Sequence, residues 1–215
     1  MNALILVDLQ YDFMPGGALA VAEGDQIIAV ANRLMPHFDM VVATQDWHPA
    51  DHKSFASQHE GKSVGDVVQL DGVEQVLWPD HCVQGTPGAD LHEELESQQI
   101  HQIIQKGTDK NIDSYSGFSD NGHRQATGLA ALLKQGGVTE VAVMGLATDY
   151  CVKFTALDAV EHGLKTTLIS DGCRGVDLSP GDVEQAIADM QAADVRVMDA
   201  DRWINEPSPT RTRLK

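Results

Sequence analysis

The 215-residue chain is poor in several features that would fix its environment. It has three cysteines, an odd and small number that argues against stapling by disulfides, so we expect a cytoplasmic protein. Lys and Arg number 15 against 32 Asp and Glu, and the net charge of −17 makes nucleic acid and acidic membranes poor partners. Apolar runs are short, including the one at residues 3–7, so we expect neither a membrane span nor a signal peptide.

Short apolar blocks alternate with longer stretches of helical spacing. The blocks predict strands at residues 4–7, 40–44, 100–104, 141–144, 166–169 and 195–198. The helical spacing predicts helices at residues 26–34, 124–134, 152–161 and 182–192. This alternation is typical of a sheet covered by helices on both faces. We therefore predict one α/β domain over residues 1–204, with three layers (α/β/α) and a central, mostly parallel six-stranded sheet.

Two regions do not follow this pattern. Residues 46–99 show no clear period, apart from a brief predicted helix at residues 91–95, and they are rich in His, Gly, Asp and Pro. A long irregular stretch inside a compact domain usually carries function or is mobile. Residues 205–215 are predicted to be a loose tail, and we assign them no role.

Reactive side chains follow the predicted strands. Asp8 ends the first strand, Asp46 follows the second and Lys106 the third. The fourth strand ends at Gly145, shortly before Cys151. Because binding sites form at the carboxyl ends of strands in open parallel sheets, we predict that these groups meet at one rim.

Cys151 is the candidate nucleophile. A helix is predicted to open near Thr148, which would place Cys151 in its first turn, where backbone N–H groups and the helix dipole favour a thiolate. Asp8 could take the thiol proton and later deliver it to an amine, while Lys106 would hold that carboxylate charged. Such a set suits attack on a carboxamide. Taken one at a time, each residue also has a purely structural interpretation, as a cap, a surface charge or a small core residue.

The segment that starts at Asp46 indicates a metal site. In an extended chain Asp46 and His48 point to the same side, and His81 is the best third ligand, with His52 as a possible fourth. One carboxylate and two imidazoles suit Zn²⁺, Fe²⁺ or Mn²⁺. The alternative is polar packing within the loop.

The residues also allow two other interpretations. Cys82 and Cys173 compete for the role of nucleophile, but we predict that both are structural. A phosphoryl-accepting receiver domain also places acidic residues and a lysine at strand ends. The length of the chain, the His-rich loop and the position of Cys151 speak against it.

Five motifs carry a family resemblance. They are VDLQYDF at 7–13, TQDWHP at 44–49, WPDHCVQGTPGA at 78–89, KGT at 106–108 and GLATDYCV at 145–152. On these motifs the chain resembles the nicotinamidases, also called pyrazinamidases, of the isochorismatase-like cysteine hydrolase superfamily. The resemblance runs from residue 3 to about residue 197, and the second and third motifs distinguish nicotinamidases from the wider superfamily.

The resemblance implies a role for each matching residue. The implied catalytic triad is Asp8, Lys106 and Cys151. The implied metal ligands are Asp46, His48 and His81, with His52 as a further candidate. The implied ring contacts are Phe13, Trp78 and Tyr115. The amides of Ala147 and Cys151 would form the oxyanion hole, beside a cis peptide bond between Leu146 and Ala147.

The resemblance also implies an activity. We expect hydrolysis of nicotinamide to nicotinate and ammonia through a cysteine thioester, in NAD salvage, with pyrazinamide as a further substrate. A metal ion, Zn²⁺ in the first instance and otherwise Fe²⁺ or Mn²⁺, would anchor the pyridine nitrogen. The alternative is another amide or vinyl-ether hydrolase of the same superfamily. The expected partner is a small-molecule substrate, and the chain could be a monomer or a homo-oligomer.

Overall fold

A parallel sheet of six strands forms the centre of the protein, whose computed structural model describes residues 1–206. Its strands are β1 (Asn2–Val7), β2 (Met40–Asp46), β5 (Gln102–Lys106), β6 (Glu140–Leu146), β7 (Lys165–Arg174) and β8 (Arg196–Met198). They are ordered β5-β2-β1-β6-β7-β8, and every neighbouring pair is parallel. A separate antiparallel hairpin is formed by β3 (Val67–Leu70) and β4 (Val73–Val76). The predicted six-stranded α/β sheet is therefore confirmed, and it is wholly parallel.

Helices cover both faces of the sheet. They are α1 (Ile27–Leu34), α2 (Leu129–Gln135), α3 (Lys153–Glu161), α4 (Asp182–Ala192) and α5 (Ala200–Asn205). Helices α1 and α5 pack against β7 and each other, whereas α3 packs against β6, β7 and α4, and α4 packs against β8. The chain moves in opposite directions across the sheet from β1 to β2 and from β6 to β7. Since crossovers between parallel strands are right-handed as a rule, α1 and α3 are expected on opposite faces.

The two central strands of the sheet are completely buried. Every residue of β1 and β6 is buried, as near-continuous apolar strands require when both faces are covered. The edge strand β5 is mostly exposed, apart from its last residue, Lys106. That lysine is the exception to its strand because its side chain turns inwards at the carboxyl rim.

The chain changes direction across the sheet between β1 and β6. From β1 it builds outwards to β2 and β5, and it then returns to place β6 on the other side of β1. Such a switch point leaves a crevice at the carboxyl ends of the two strands. Here Val7 is paired with Gly145, so Asp8 and the segment that leads to Cys151 leave the sheet side by side. Gly145 has φ +134°, and a Cβ would lie 2.1 Å from the Val7 carbonyl oxygen, so only glycine fits.

The hairpin was missed from sequence. Residues 46–99 were predicted to be irregular, yet β3 and β4 lie within them, joined by Asp71-Gly72. Both of these residues have positive φ, as the favoured two-residue hairpin turn requires. An Asp-Gly pair between two Val-rich tetrapeptides is therefore the sequence pattern that predicts this hairpin.

Several predicted boundaries are also wrong. The brief helix at residues 91–95 does not form, because Leu91 makes an isolated antiparallel bridge to Gln10 and a turn follows. The helix predicted at 124–134 begins only at Leu129. The strand predicted at 100–104 begins two residues later. Helix α5 was not predicted, and it extends through Asn205, which was assigned to the tail. The rest of that prediction, at residues 207–215, lies outside the described residues.

No helix among residues 1–206 is long and apolar enough to cross a bilayer.

Candidate active site

Cys151 lies at the mouth of the crevice between β1 and β6. The chain leaves β6, passes through a cis peptide bond between Leu146 and Ala147, and enters a π-helical turn at Thr148–Val152 that leads into α3. The cis bond occurs where the family resemblance implied it. The Cys151 side chain is largely buried, but it reaches a cavity, and its Sγ lies 3.4 Å from Lys106 Nζ.

Lys106 joins the reactive groups to one another. Its Nζ lies 2.9 Å from Asp8 Oδ2 and 2.6 Å from Asp46 Oδ1, and it donates to the Ser114 carbonyl at 2.8 Å. The lysine is only 1% exposed. Burial opposes its charge, but Asp46 and Asp8 raise the pKa of Lys106 well above its ordinary value, so the ammonium stays charged.

Asp8 is held next to this ammonium by its backbone and by Thr44. The residue has φ +54° directly after β1, and its backbone N–H donates to Thr44 Oγ1. The Thr44 hydroxyl in turn donates to Asp8 Oδ1 at 2.6 Å. Burial raises the pKa of Asp8, and Lys106 offsets part of that increase. A carboxylate whose basicity is raised in this way is suited to accept a proton.

The structure corrects the expected ionisation of Cys151. Burial raises the pKa of the thiol well above its ordinary value, although Lys106 lowers it in part. Desolvation therefore outweighs the helix terminus that was expected to favour a thiolate. A raised pKa favours the thiol over the thiolate, so attack would require a neighbouring base. An oxygen of Asp8 lies within 4.8 Å of the sulfur.

Asp46, His48 and His81 converge on one point beside Lys106. The Nε2 atoms of His48 and His81 lie 3.3 Å and 3.6 Å from Asp46 Oδ2. Each ring is fixed through its other nitrogen, since His48 Nδ1 bonds to the Gly107 carbonyl and His81 Nδ1 to the Pro79 carbonyl. In the neutral rings these bonds place the proton on Nδ1, so that each Nε2 has a lone pair to offer to a metal ion.

This donor set fits a divalent metal ion. The three ligand atoms lie within 4.8 Å of one another, and all three side chains are buried. His48 Nε2 is fully buried, and it faces the carboxylates of Asp46 at 3.3 Å and of Asp113 at 3.9 Å. Burial disfavours the imidazolium, yet Asp46 raises the pKa of His48 to about 9. A proton and a metal ion bind the same lone pair of the imidazole, so the negative charge of Asp46 that stabilises the proton would also stabilise a metal ion.

His52 lies behind this group. Its ring centroid is 4.3 Å from that of His48, and its Nδ1 bonds to the Ser54 hydroxyl at 2.7 Å. Burial lowers the pKa of His52 to about 4, so the ring is neutral. A second possible ligand group combines His52 with His48 and Asp113. His52 is therefore close to the ion site but outside the tightest set.

A small cavity lined largely by aromatic side chains opens above these groups. The three predicted ring contacts, Phe13, Trp78 and Tyr115, line it together with Cys151 and Ala147. Asp46 and His81 also reach the cavity wall. A flat ring in this cavity would therefore have an ion site at one side and a thiol at the other.

Several residues of the site were missed from sequence. Asp113 and Tyr150 line the cavity, and Thr44 holds Asp8. Thr44 ends a predicted strand at the same rim, and Tyr150 precedes the nucleophile candidate, so both positions carried a signal. Asp113 lies in an irregular segment with no period or motif to single it out.

The fold and the grouping of an acid, a lysine and a cysteine define a class of hydrolase, and a family match supports it. The isochorismatase domain family matches residues 2–202. The chain therefore belongs to the isochorismatase family.

Within that family the chain groups with the nicotinamidases. It is 51% identical to a nicotinamidase of Escherichia coli (strain K12), over 94% of this chain and 96% of that one. It is 48% identical to the nicotinamidase/pyrazinamidase of Acinetobacter baumanii, whose structure superposes with a TM-score of 0.91 over 94% of this chain and 97% of that one. The resemblance stated from the sequence is confirmed, and the receiver-domain alternative is set aside.

Other solved relatives carry ligands. One is the structure of the yeast nicotinamidase bound to the inhibitor nicotinaldehyde. It is 32% identical to this chain and superposes with a TM-score of 0.88, over 93% of this chain and 100% of that one. Another is the structure of the pyrazinamidase of Pyrococcus horikoshii in complex with zinc. It is 39% identical to this chain and superposes with a TM-score of 0.72, over 92% of this chain and 98% of that one.

Proposed function

We propose that this protein is a nicotinamide amidohydrolase, which converts nicotinamide and water into nicotinate and ammonia through a thioester on Cys151. The observation that carries this proposal is the position of Lys106 Nζ. It contacts the base candidate Asp8, the metal-ligand candidate Asp46 and the nucleophile candidate Cys151 at once. The nicotinamidase relatives supply the substrate class.

Asp8 begins the reaction as a general base. It takes the proton of the Cys151 thiol, and the sulfur attacks the amide carbon. Lys106 stabilises the negative charge on the sulfur as the proton leaves. Burial raises the pKa of Cys151, which favours the thiol, and it also raises the pKa of Asp8, which makes that carboxylate a stronger base. The reaction can therefore begin from the thiol.

The backbone N–H groups of Ala147 and Cys151 would receive the charge that develops on the amide oxygen. Asp8 then returns its proton to the amide nitrogen, the C–N bond breaks and ammonia leaves. In the second half, Asp8 takes a proton from water, which attacks the thioester carbon. The C–S bond breaks, the proton on Asp8 passes back to the sulfur, and the acid that is released loses its remaining proton to solvent as nicotinate.

Asp46, His48 and His81 are the residues that would hold the ion, and His52 is a further candidate. A bound divalent ion would supply a Lewis-acid position for the pyridine nitrogen. We propose Zn²⁺, with Fe²⁺ and Mn²⁺ as alternatives, because carboxylate and imidazole accept all three. Phe13, Trp78 and Tyr115 would enclose the ring and so hold the amide against the sulfur.

The substrate assignment can be tested with a matched pair of amides. Nicotinamide and benzamide differ at one ring atom, so only nicotinamide can use an anchor for its ring nitrogen. We expect ammonia release from nicotinamide, with a kcat/KM at least about 10²-fold above that for benzamide, since a buried polar group left unpaired is strongly selected against. Similar values for the two amides would contradict the anchor, and no release from nicotinamide would contradict the proposed function.

The ligand assignment has a readout that does not depend on activity. His81→Ala removes one of three donors, so we expect the protein to lose most of its zinc on dialysis and its KM for nicotinamide to rise by at least about tenfold. Metal content is measured by mass spectrometry of the dialysed protein. His162→Ala, at an exposed position after α3, is the matched control and should retain the metal. Full metal content in His81→Ala would show that the ligand set is wrong.

Pyrazinamide, which keeps a ring nitrogen at the same position relative to the amide, is proposed as a further substrate. We also propose that the protein acts in NAD salvage and is located in the cytoplasm.

A further inference from the structure

The β3–β4 hairpin carries a buried polar side chain where an apolar one would be usual. Within the eight residues of its two strands, all of them described, Gln75 is the one that is buried, with 2% exposure. An isolated two-stranded hairpin is marginal in water and needs packing against a larger body. Here four apolar side chains of the hairpin are half-buried, and the one buried position is occupied by an amide.

The Gln75 amide reaches the wall of the aromatic cavity. Its Nε2 lies 3.0 Å from Tyr115 Oη, 3.4 Å from Asp113 Oδ2 and 2.7 Å from the Val76 carbonyl oxygen. Its Oε1 accepts from Asn121 Nδ2 at 3.5 Å. The Val76 carbonyl and the Asp113 carboxylate can only accept, so the atom that faces them must be the NH₂ group.

Tyr115 is thereby held from two sides. Its phenol oxygen also accepts from Trp78 Nε1 at 3.2 Å. Burial raises the pKa of Tyr115 well above its ordinary value, so the phenol keeps its proton. Both donors to this oxygen come from the hairpin or from the residues directly after it, whereas the Tyr115 ring lines the cavity.

We propose that Gln75 is a positioning residue for the substrate ring, which it orients through the hydroxyl of Tyr115. This inference rests on the proposed function, because it concerns the binding of the nicotinamide ring. Gln75 does not line the cavity and touches no reacting atom. Its effect falls on substrate binding, through KM and the dissociation constant, and leaves the proton transfers at Asp8 and Cys151 intact.

A double-mutant cycle between Gln75→Met and Tyr115→Phe tests the inference. Methionine keeps the length of the side chain and removes the amide, and Tyr115→Phe keeps the ring and removes the oxygen. We expect each single variant to raise the KM for nicotinamide about tenfold, the worth of about one net hydrogen bond, with kcat changed less than about threefold. The double variant should be no worse than the worse single variant, since both changes break the same contact.

Binding without turnover gives a second readout. In a Cys151→Ala background, the dissociation constant of nicotinamide, measured by calorimetry, should rise by the same factor in Gln75→Met. The matched control is Gln69→Met, an exposed glutamine of the same hairpin, which should alter neither constant.

The outcomes separate this inference from the proposed function. Wild-type hydrolysis of nicotinamide with an unchanged KM in Gln75→Met would overturn the positioning role, even if its melting temperature fell. Independent, multiplying effects of the two substitutions would also overturn it, because the glutamine would then not act through Tyr115. If Gln75→Met does not fold, Tyr115→Phe alone decides, and an unchanged KM there refutes the inference. A wild type that does not hydrolyse nicotinamide would instead refute the function.

Discussion

Replacement of Cys151 by alanine is expected to lower the kcat for nicotinamide hydrolysis by a factor on the order of 10⁶. In the proposed mechanism the sulfur forms the covalent bond, and neither Asp8 nor Lys106 can replace it. Substrate binding should survive, because the aromatic walls and the ion site are made by other residues. Ammonia release measures the loss, and calorimetry with nicotinamide measures the binding that remains.

A matched cysteine gives the control. Cys173 is also buried, but its Sγ contacts the Ile169 carbonyl oxygen, away from the cavity. Cys173→Ala should keep kcat within about threefold of the wild type. In addition, acid-quenched wild-type enzyme should carry a nicotinoyl group on Cys151 that is detectable by mass spectrometry. Comparable turnover in Cys151→Ala and the wild type would rule out the thioester route.

Replacement of Lys106 by methionine is expected to reduce both stability and activity. The ammonium lies between two buried carboxylates, and its removal leaves them facing each other without a counter-charge. Breaking a buried ion pair in this way typically costs about 3–5 kcal/mol. The free energy of unfolding, measured in urea, should fall by about that amount, and kcat should fall by at least about 10²-fold because the sulfur loses its neighbouring cation.

Lys110 offers the comparison. It also forms a lysine–carboxylate pair, with Asp51 at 2.9 Å, but both side chains are about half exposed. Exposed pairs contribute little, so Lys110→Met should change the free energy of unfolding by less than about 1 kcal/mol and leave kcat unaltered. Equal effects of the two substitutions would mean that burial of the Lys106 cluster has no energetic consequence.

Much of the sheet and the grouping at its rim could be predicted from sequence, for a physical reason. A strand buried on both faces must be apolar along its length, so β1 and β6 are visible as continuous blocks. The first polar residue after such a block marks the carboxyl end, which is how Asp8 was found. The parallel arrangement then places the ends of all strands at one edge, and the structure does bring Asp8, Asp46, Lys106 and Cys151 together there.

Other parts depend on contacts that no local pattern records. The ionisation of Cys151 was predicted from its helix terminus, but burial decides it, and burial depends on the whole fold. Asp113 and Gln75 lie far apart in the chain and become significant only when the hairpin closes over Tyr115. The position of His52 behind His48 likewise follows from the path of the loop.

The adjacency of β1 and β6 has a consequence for how the protein is made. These two strands are separated by more than half of the chain, although they lie side by side in the middle of the sheet. While synthesis proceeds, β1 has β2 on one edge and an open row of amides and carbonyls on the other until the later half emerges. Pairing of segments so far apart in the chain is slow, and until it occurs the unpaired strand edge is prone to aggregation. Enzymatic turnover in a nascent or refolding sample would therefore report that β6 has paired with β1, because Cys151 directly follows β6.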